Sequence, residues 1–461
     1  MKRLLVPVLL AMLGLLGCSS TGQKNNKEMV LRIANMEEYM DMGSWEKPIR
    51  LADGTEIFSR KSMVERFQKW YRDKYNRPIR VEYSAVGTNE ELYNLMRLGN
   101  TFDLICTSEY MIMKLMDEGR LVPFSSEFRN VSRKDNYYIK GVSPFISDTL
   151  DQLLVGQESV GRYSAGFMWG TMGLVYDPAR VDAKDILHWS MLCDPDYYKQ
   201  VTMKDSIRDS SFVGLCIQNE NRYLSPEFLQ DPDYATLLSR YQNDTSPKSV
   251  DALRKTLTRM RANSFSMETD SAKIDLVAGR VVASMQWSGD GTYIIDCAEE
   301  EGLTLAYAVP QECTNLWFDG WVMPKAGIRE APDKQQAAEA FVNFISRPDN
   351  VVRNMDYIGY TSVVSGGNDE TVFHYLKKVY GAEDTKKEDV VFYDLSYFFG
   401  WDKARVKVPA SQCSRQLYAR YPTKDVIERS VVMQEFDEEA RKRMSQMWID
   451  VRCFDAASLF R

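Results

Sequence analysis

The chain has 461 residues, enough for about three average domains or two large lobes. It is 44% hydrophobic and 27% charged with a mean hydropathy of −0.38, which excludes a disordered, collagenous, disulfide-scaffold or polytopic membrane protein. Acidic residues outnumber basic ones, 65 to 58, with no dense basic patch, so nucleic acid is not an expected partner. The two histidines, His188 and His374, lie far apart in sequence and leave little room for a zinc site or a histidine triad. An acidic chain with 25 tyrosines and 9 tryptophans has the makings of a binder of small cations.

The N-terminus reads as an address. Met1-Lys2-Arg3 precedes an apolar run over residues 4–16 that is too short to span a bilayer, and Gly17-Cys18-Ser19-Ser20 follows. Leu15-Leu16-Gly17-Cys18 resembles a bacterial lipobox. A signal peptide over 1–17, lipidation of Cys18 and a polar tether over 18–28 are therefore expected. Seven cysteines remain, at 106, 193, 216, 297, 313, 413 and 453. Their odd number and the lack of any CxxC pair point to free thiols, several in apolar settings.

In chain order, residues 30–35 form a first expected strand. A helix over 62–75 follows, with Met63, Phe67, Trp70 and Tyr71 on one face, then a second strand at 79–83. Thr88-Asn89-Glu90-Glu91 has the capping-box pattern that opens a helix, 102–106 reads as a buried strand, and a helix from about 110 ends at Gly119. This βαβαβ alternation predicts a largely parallel sheet with helices on both faces and ligands beyond the carboxyl ends of its strands. The loops at 36–39 and 107–110 are then candidate ligand loops. Further on, strands are expected at 281–287 and 303–309. Ser288-Gly289-Asp290-Gly291 opens a helix, another helix covers 330–345, and residues 425–451 read as one amphipathic helix.

Eight segments, in order, carry a resemblance: Asn35-Met36-Glu37-Glu38-Tyr39; Tyr83-Ser84 with residues 88–93; Phe102-Asp103-Leu104-Ile105 with Ser108-Glu109-Tyr110; Tyr163-Ser164 with Met168-Trp169-Gly170-Thr171; residues 205–209; Gln286-Trp287-Ser288-Gly289-Asp290; Trp317-Phe318-Asp319; and Ile358-Gly359-Tyr360. In these the chain resembles the spermidine/putrescine-binding proteins of bacterial ABC transporters, from about residue 30 to 361. The resemblance implies an α/β, two-lobed type II periplasmic-binding-protein fold, its lobes joined by two crossing strands around a cleft that closes on ligand. Lobe I would comprise 29–165 plus 318–362, and lobe II 166–317 plus 363–461. Met168-Trp169-Gly170-Thr171 would lie near the first crossing.

Carried over residue by residue, the resemblance implies a ligand-binding set of Tyr39, Ser108, Tyr110, Asp209, Trp287, Asp290, Trp317, Asp319 and Tyr360. The chemistry agrees. A polyamine needs carboxylates spaced along a groove and aromatic faces for its methylenes and ammonium groups. Asp209 and Asp290, near helix starts, have an alternative reading as N-caps, and Trp287 as core. Asp319, flanked by Trp317, Phe318 and Trp321, is poorly placed unless a cation pairs with it.

Departures from the family pattern bear on the ligand. Met36 stands where the family has tryptophan, Ser206 replaces a second acid, and Glu37 adds a carboxylate in the first ligand loop that compensates from the opposite wall. The implied protein has no catalytic residue, metal or cofactor. It acts as a monomer, anchored to the membrane by lipid in the cell envelope, and delivers an organic cation to permease subunits. Two other readings stay open at this level: a ligand-triggered sensor of the same fold, and an envelope hydrolase using Asp290 and Asp319.

Overall fold

The computed structural model describes residues 28–269, 272–329, 331–382 and 389–453. The expected signal peptide, Cys18 and all of the tether except Glu28 lie outside the described residues. Eight strands form the main path of one mixed sheet. They are β1 (Met29–Met36), β2 (Ile79–Val86), β3 (Leu104–Ser108), β4 (Ser164–Tyr176), β5 (Val201–Lys204), β6 (Ser266–Glu268), β7 (Ala283–Trp287) and β8 (Thr314–Pro324). Their order is β6-β5-β7-β4-β8-β3-β1-β2. The outer triplets are each parallel, while β4 and β8 run antiparallel to each other and to the neighbours flanking them.

Helices cover both triplets, and their starts are written in local chemistry. The helix α1 (Met63–Tyr75) opens on Ser62, which forms a reciprocal capping box with Glu65. In α2 (Asn89–Arg97), Thr88 accepts from the Glu91 amide, but the Glu91 carboxylate turns back to the Gly87 amide instead of closing the box. The helix α3 (Glu109–Asp117) springs directly from β3. Beyond the crossing strands come α4 (Ile207–Tyr223), α5 (Ser288–Glu300), α6 (Pro348–Ile358) and α7 (Glu438–Arg452).

Two large apolar clusters flank the crossing. On β4, Ala165 and residues 167–169 belong to the first, Met172 and Leu174 to the second, and Val175 to a smaller third. On β8, residues 316–318 and 321–323 belong to the first, while Cys313, just before the strand, belongs to the second. The switch falls where Trp317 pairs with Gly170. A Cβ on Gly170 would lie 2.2 Å from Ser288 Oγ and 2.6 Å from the Trp317 ring, so only glycine lets these elements meet. The two-lobed α/β fold that the resemblance implies is the one observed, with β4 and β8 as its two crossing strands; their antiparallel pairing makes the sheet mixed where the alternation predicted a largely parallel one.

The C-terminal hundred residues differ from expectation. The single helix over 425–451 is broken into a short helix (Lys424–Glu428), a strand (Ser430–Val431) that pairs with β8 at Thr314 and Asn315, and α7. Past the strand, Asp437 accepts from the Ala440 amide and caps the start of α7. Apolar residues of 372–380 and 393–408, with Leu417 and Tyr421, pack with the first cluster, not the second. Phe398 stacks on Trp169 at 5.7 Å, and Leu395 and Phe399 are buried beside it.

Candidate functional site: a cleft at the crossing strands

Carboxyl ends of β1, β3, β5 and β7 open on one cleft of about 1240 Å³. All ten residues singled out from the sequence line it: Glu37, Tyr39, Ser108, Tyr110, Asp209, Trp287, Asp290, Trp317, Asp319 and Tyr360. Their roles there differ. Glu37 is exposed at the rim, next to Met36. Trp317 and Asp319, two apart on β8, share the cleft face while Phe318 faces the core, as strand alternation requires. A register shift against β4 falls between Asp319 and Gly320; such irregularities re-aim side chains beside sites.

Asp319 is the best organised of the carboxylates. Ser108 Oγ donates to Oδ1 at 2.6 Å and Tyr39 Oη donates to Oδ2 at 2.7 Å. Asn89 donates in turn to Ser108 Oγ at 2.9 Å and accepts from the Thr107 hydroxyl, which commits the serine proton to Asp319. Burial raises the Asp319 carboxyl above the ordinary aspartate range, with those two hydroxyls pulling the other way. Around it stand Tyr39 edge-on to Tyr360 at 5.7 Å and Trp317 edge-on to Tyr360 at 5.6 Å. Gly289 makes room for this wall, since a Cβ there would lie 2.6 Å from three atoms of the Tyr360 ring.

Across the cleft, Asp209 and Asp290 sit in the first turns of α4 and α5, but neither is an N-cap. Ser206 caps α4, accepting from the Asp209 amide, and leaves the Asp209 carboxylate to accept from Trp287 Nε1 at 3.2 Å. Burial raises the Asp209 carboxyl, opposed by Ser206 and Trp287. Asp290 already has two cationic partners: Lys273 Nζ at 3.2 Å and Lys204 Nζ at 3.9 Å. Lys204 is fully buried. It donates to the Thr269 carbonyl at 2.8 Å, lies 3.6 Å from Glu268 and sits over the Trp287 ring at 4.4 Å. Both lysines escaped the sequence reading, because Lys204 looks like an ordinary strand end and Lys273 belongs to no motif.

Other lining residues had no functional role assigned from the sequence. Arg208 stacks between Tyr110 at 4.1 Å and Phe436 at 4.5 Å and donates to the Gln434 carbonyl, which ties α3, α4 and the C-terminal region together. Arg420, Met433, Trp448 and Arg452 bring the C-terminal extension into the cleft wall, where Arg452 pairs with Asp205 at 3.1 Å. Glu109 was quoted only as part of a motif. It is buried behind Asp319, and burial pushes its carboxyl up to about 8, with Arg208 lowering it and Asp319 raising it further.

This placement has a measurable consequence for stability. A carboxyl raised on folding binds its proton more tightly in the folded state. The stability it contributes is complete below its unfolded value, near 4.5, and is lost as the pH rises through about 8. Glu109→Gln should therefore remove a falling slope in unfolding free energy between about pH 5 and 8, worth at most about 1.4 kcal/mol per pH unit. Urea denaturation of parent and variant across that range measures it; parallel curves would place the Glu109 proton elsewhere.

Similar proteins converge on one family. Residues 62–374, well over half of the chain, match the family model described as bacterial extracellular solute-binding protein. A putrescine/agmatine-binding protein of Pseudomonas aeruginosa PAO1 is 24% identical over 206 residues, 43% of this chain and about half (51%) of that relative's length. The putrescine-binding periplasmic protein SpuD of P. aeruginosa UCBPP-PA14 is 23% identical over 291 residues, 61% of this chain and 71% of its own.

Among solved structures, the spermidine/putrescine ABC transporter substrate-binding protein PotD of Streptococcus pneumoniae superposes with a TM-score of 0.60 at 22% identity, covering 92% of this chain and 98% of that one. The Tp0655 (TpPotD) lipoprotein of Treponema pallidum gives 0.58 at 14% identity, covering 92% and 99%. These are solute-binding proteins, not enzymes, and they share the fold seen here. With its crossing strands, its cleft at the strand ends and a family match over residues 62–374, the chain belongs to the bacterial extracellular solute-binding proteins.

Proposed function

We propose that the cleft captures a polyamine, a putrescine- or spermidine-like organic cation, and presents it to the permease of an ABC transporter. The observation that carries this reading is Asp319, a half-buried carboxylate held by two hydroxyl donors inside a wall of Tyr39, Trp317 and Tyr360. A desolvated carboxylate among aromatic edges and faces gains most from an ammonium group, which supplies both the counter-charge and the cation–π contact. Asp209 with Trp287 forms a second anionic wall, Ser108 and Tyr110 flank the first, and Glu37 adds charge at the rim. The putrescine-binding relatives support the same class of ligand.

Outside the cytoplasm, where this family works, the protein acts as a monomer. In this reading its two lobes hinge at β4 and β8, and it is held to the membrane by lipid on Cys18 after removal of residues 1–17. Replacement of Cys18 by serine should release the protein into the soluble envelope fraction. Among the described residues no helix is long and apolar enough to cross a membrane.

Calorimetry of residues 28–461 against putrescine, spermidine and spermine separately tests the ligand class. Micromolar or tighter binding of any one supports it, and no heat with all three rejects it.

Asp290 makes a sharper expectation. Its carboxylate is engaged by Lys273 and Lys204, so an ammonium group reaching it must displace Lys273. Lys273→Met should free that seat and tighten the binding of a diamine by about tenfold, the effect of one modest ion pair. If affinity is unchanged or falls, Asp290 is a partner of the lysines and not of the ligand.

A further inference from the structure

Cys216, in the body of α4, and Cys313, the residue before β8, are separated by 97 positions in sequence, yet their sulfur atoms lie 3.0 Å apart. Both residues are completely buried in the second apolar cluster. The separation is shorter than the roughly 3.5–4.0 Å at which non-bonded carbon atoms sit at their energy minimum, although sulfur is the larger atom. It is about one ångström longer than a disulfide bond. Gln242 Nε2 lies 3.4 Å from Cys216 Sγ, and the Cys313 carbonyl is 3.9 Å from it. The two sulfurs thus face each other, with an amide donor beside them. The family is extracellular, so the chain matures where disulfides persist.

We infer that Cys216 and Cys313 form a disulfide in the exported protein, a covalent modification site beneath the cleft. The two thiols together lose two protons and two electrons. A disulfide-bearing oxidant, either a protein thiol oxidoreductase of the envelope or oxidised glutathione in vitro, accepts them and leaves as two thiols. Exchange takes place on the chain before the second cluster closes, because attack requires an accessible thiolate and the folded core admits none. Once formed, the bond joins α4, whose first turn carries Arg208 and Asp209, to the root of β8, which carries Trp317 and Asp319. It therefore clamps together the two elements that present the facing carboxylates of the cleft.

Peptide mapping of the exported full-length chain, denatured and alkylated at acid pH without reductant, tests the bond. The expected result is a linked peptide pair containing Cys216 and Cys313 that separates on reduction. Recovery of both cysteines as alkylated thiols overturns it. A second measurement guards against linkage formed after denaturation. Protein refolded under a thiol reductant should melt about 5 °C below the oxidised form, because the bond closes a long loop. Cys216→Ala, Cys313→Ala and the double variant should each melt at one temperature with or without reductant. A parent chain equally stable in both conditions overturns the proposal, and the cysteines are then small apolar fillers.

Discussion

Asp319→Asn should weaken putrescine binding by at least about thirtyfold while leaving the fold intact. The lower bound follows from truncating one partner of a buried, hydrogen-bonded charge pair, which costs about 2–5 kcal/mol, at about 1.4 kcal/mol per factor of ten. The fold survives because asparagine has the same shape. Its amide oxygen accepts from one of Ser108 and Tyr39, and its amide nitrogen donates to the other hydroxyl. What disappears is the charge. A second signature follows from the burial that raises the Asp319 carboxyl. In the parent chain, affinity should decline with falling pH at a point above the ordinary aspartate value of about 3.9, since protonation removes the counter-charge while the ligand stays cationic. In Asp319→Asn that decline should be absent. Calorimetric titrations at several pH values read both effects; a variant that binds as tightly as the parent would falsify Asp319 as the ammonium seat.

Arg353→Met should cost about 3–5 kcal/mol of folding free energy, the penalty for leaving a buried partner charge uncompensated. Arg353 and Asp41 are both wholly buried. Arg353 Nε donates to Asp41 Oδ2 at 2.7 Å and Nη2 also contacts Asp41, while Nη1 and Nη2 reach the carbonyls of Ser59 and Lys61. The other Asp41 oxygen accepts from the Gly43 amide and from Trp45 Nε1, each at 2.8 Å. Every polar group in this network has a partner, so removing one member strands the rest. The network also bears on the cleft. Asp41 lies two residues beyond Tyr39, and Arg353 sits on α6, which leads into Tyr360. The pair therefore holds together the two segments whose aromatic rings meet at 5.7 Å. Urea unfolding of the variant gives the stability loss, and Asp41→Asn should give a similar one. A double variant should lose clearly less than the sum of the two, because the same interaction is removed twice.

How much of this was legible in the chain depends on the range of the interaction. Met63, Phe67, Trp70 and Tyr71 fall on one helical face and announce α1. The buried run ending at Cys106 announces β3. Gly170 and Gly289 could be quoted as parts of motifs, but their reason is tertiary: each leaves space for a ring, Trp317 or Tyr360, that comes from far along the chain. The helix expected over 425–451 failed for a related reason. Its apolar periodicity ran across a break where Ser430 and Val431 pair with β8, and no local pattern encodes that pairing.

Acting alone, the amino-acid sequence determined the alternation of strands and helices, the order of the ligand loops and the residue types around the cleft. These follow from hydrophobic periodicity, capping and turn chemistry, all of which act over a few residues. Only the tertiary structure decided which charges meet. The folded chain brings Ser108 and Tyr39 to Asp319, Lys204 and Lys273 to Asp290, Arg353 to Asp41 and Cys216 to Cys313. Such pairs are set by how the apolar clusters pack at either end of the crossing strands, and that packing depends on contacts separated by as many as 312 residues.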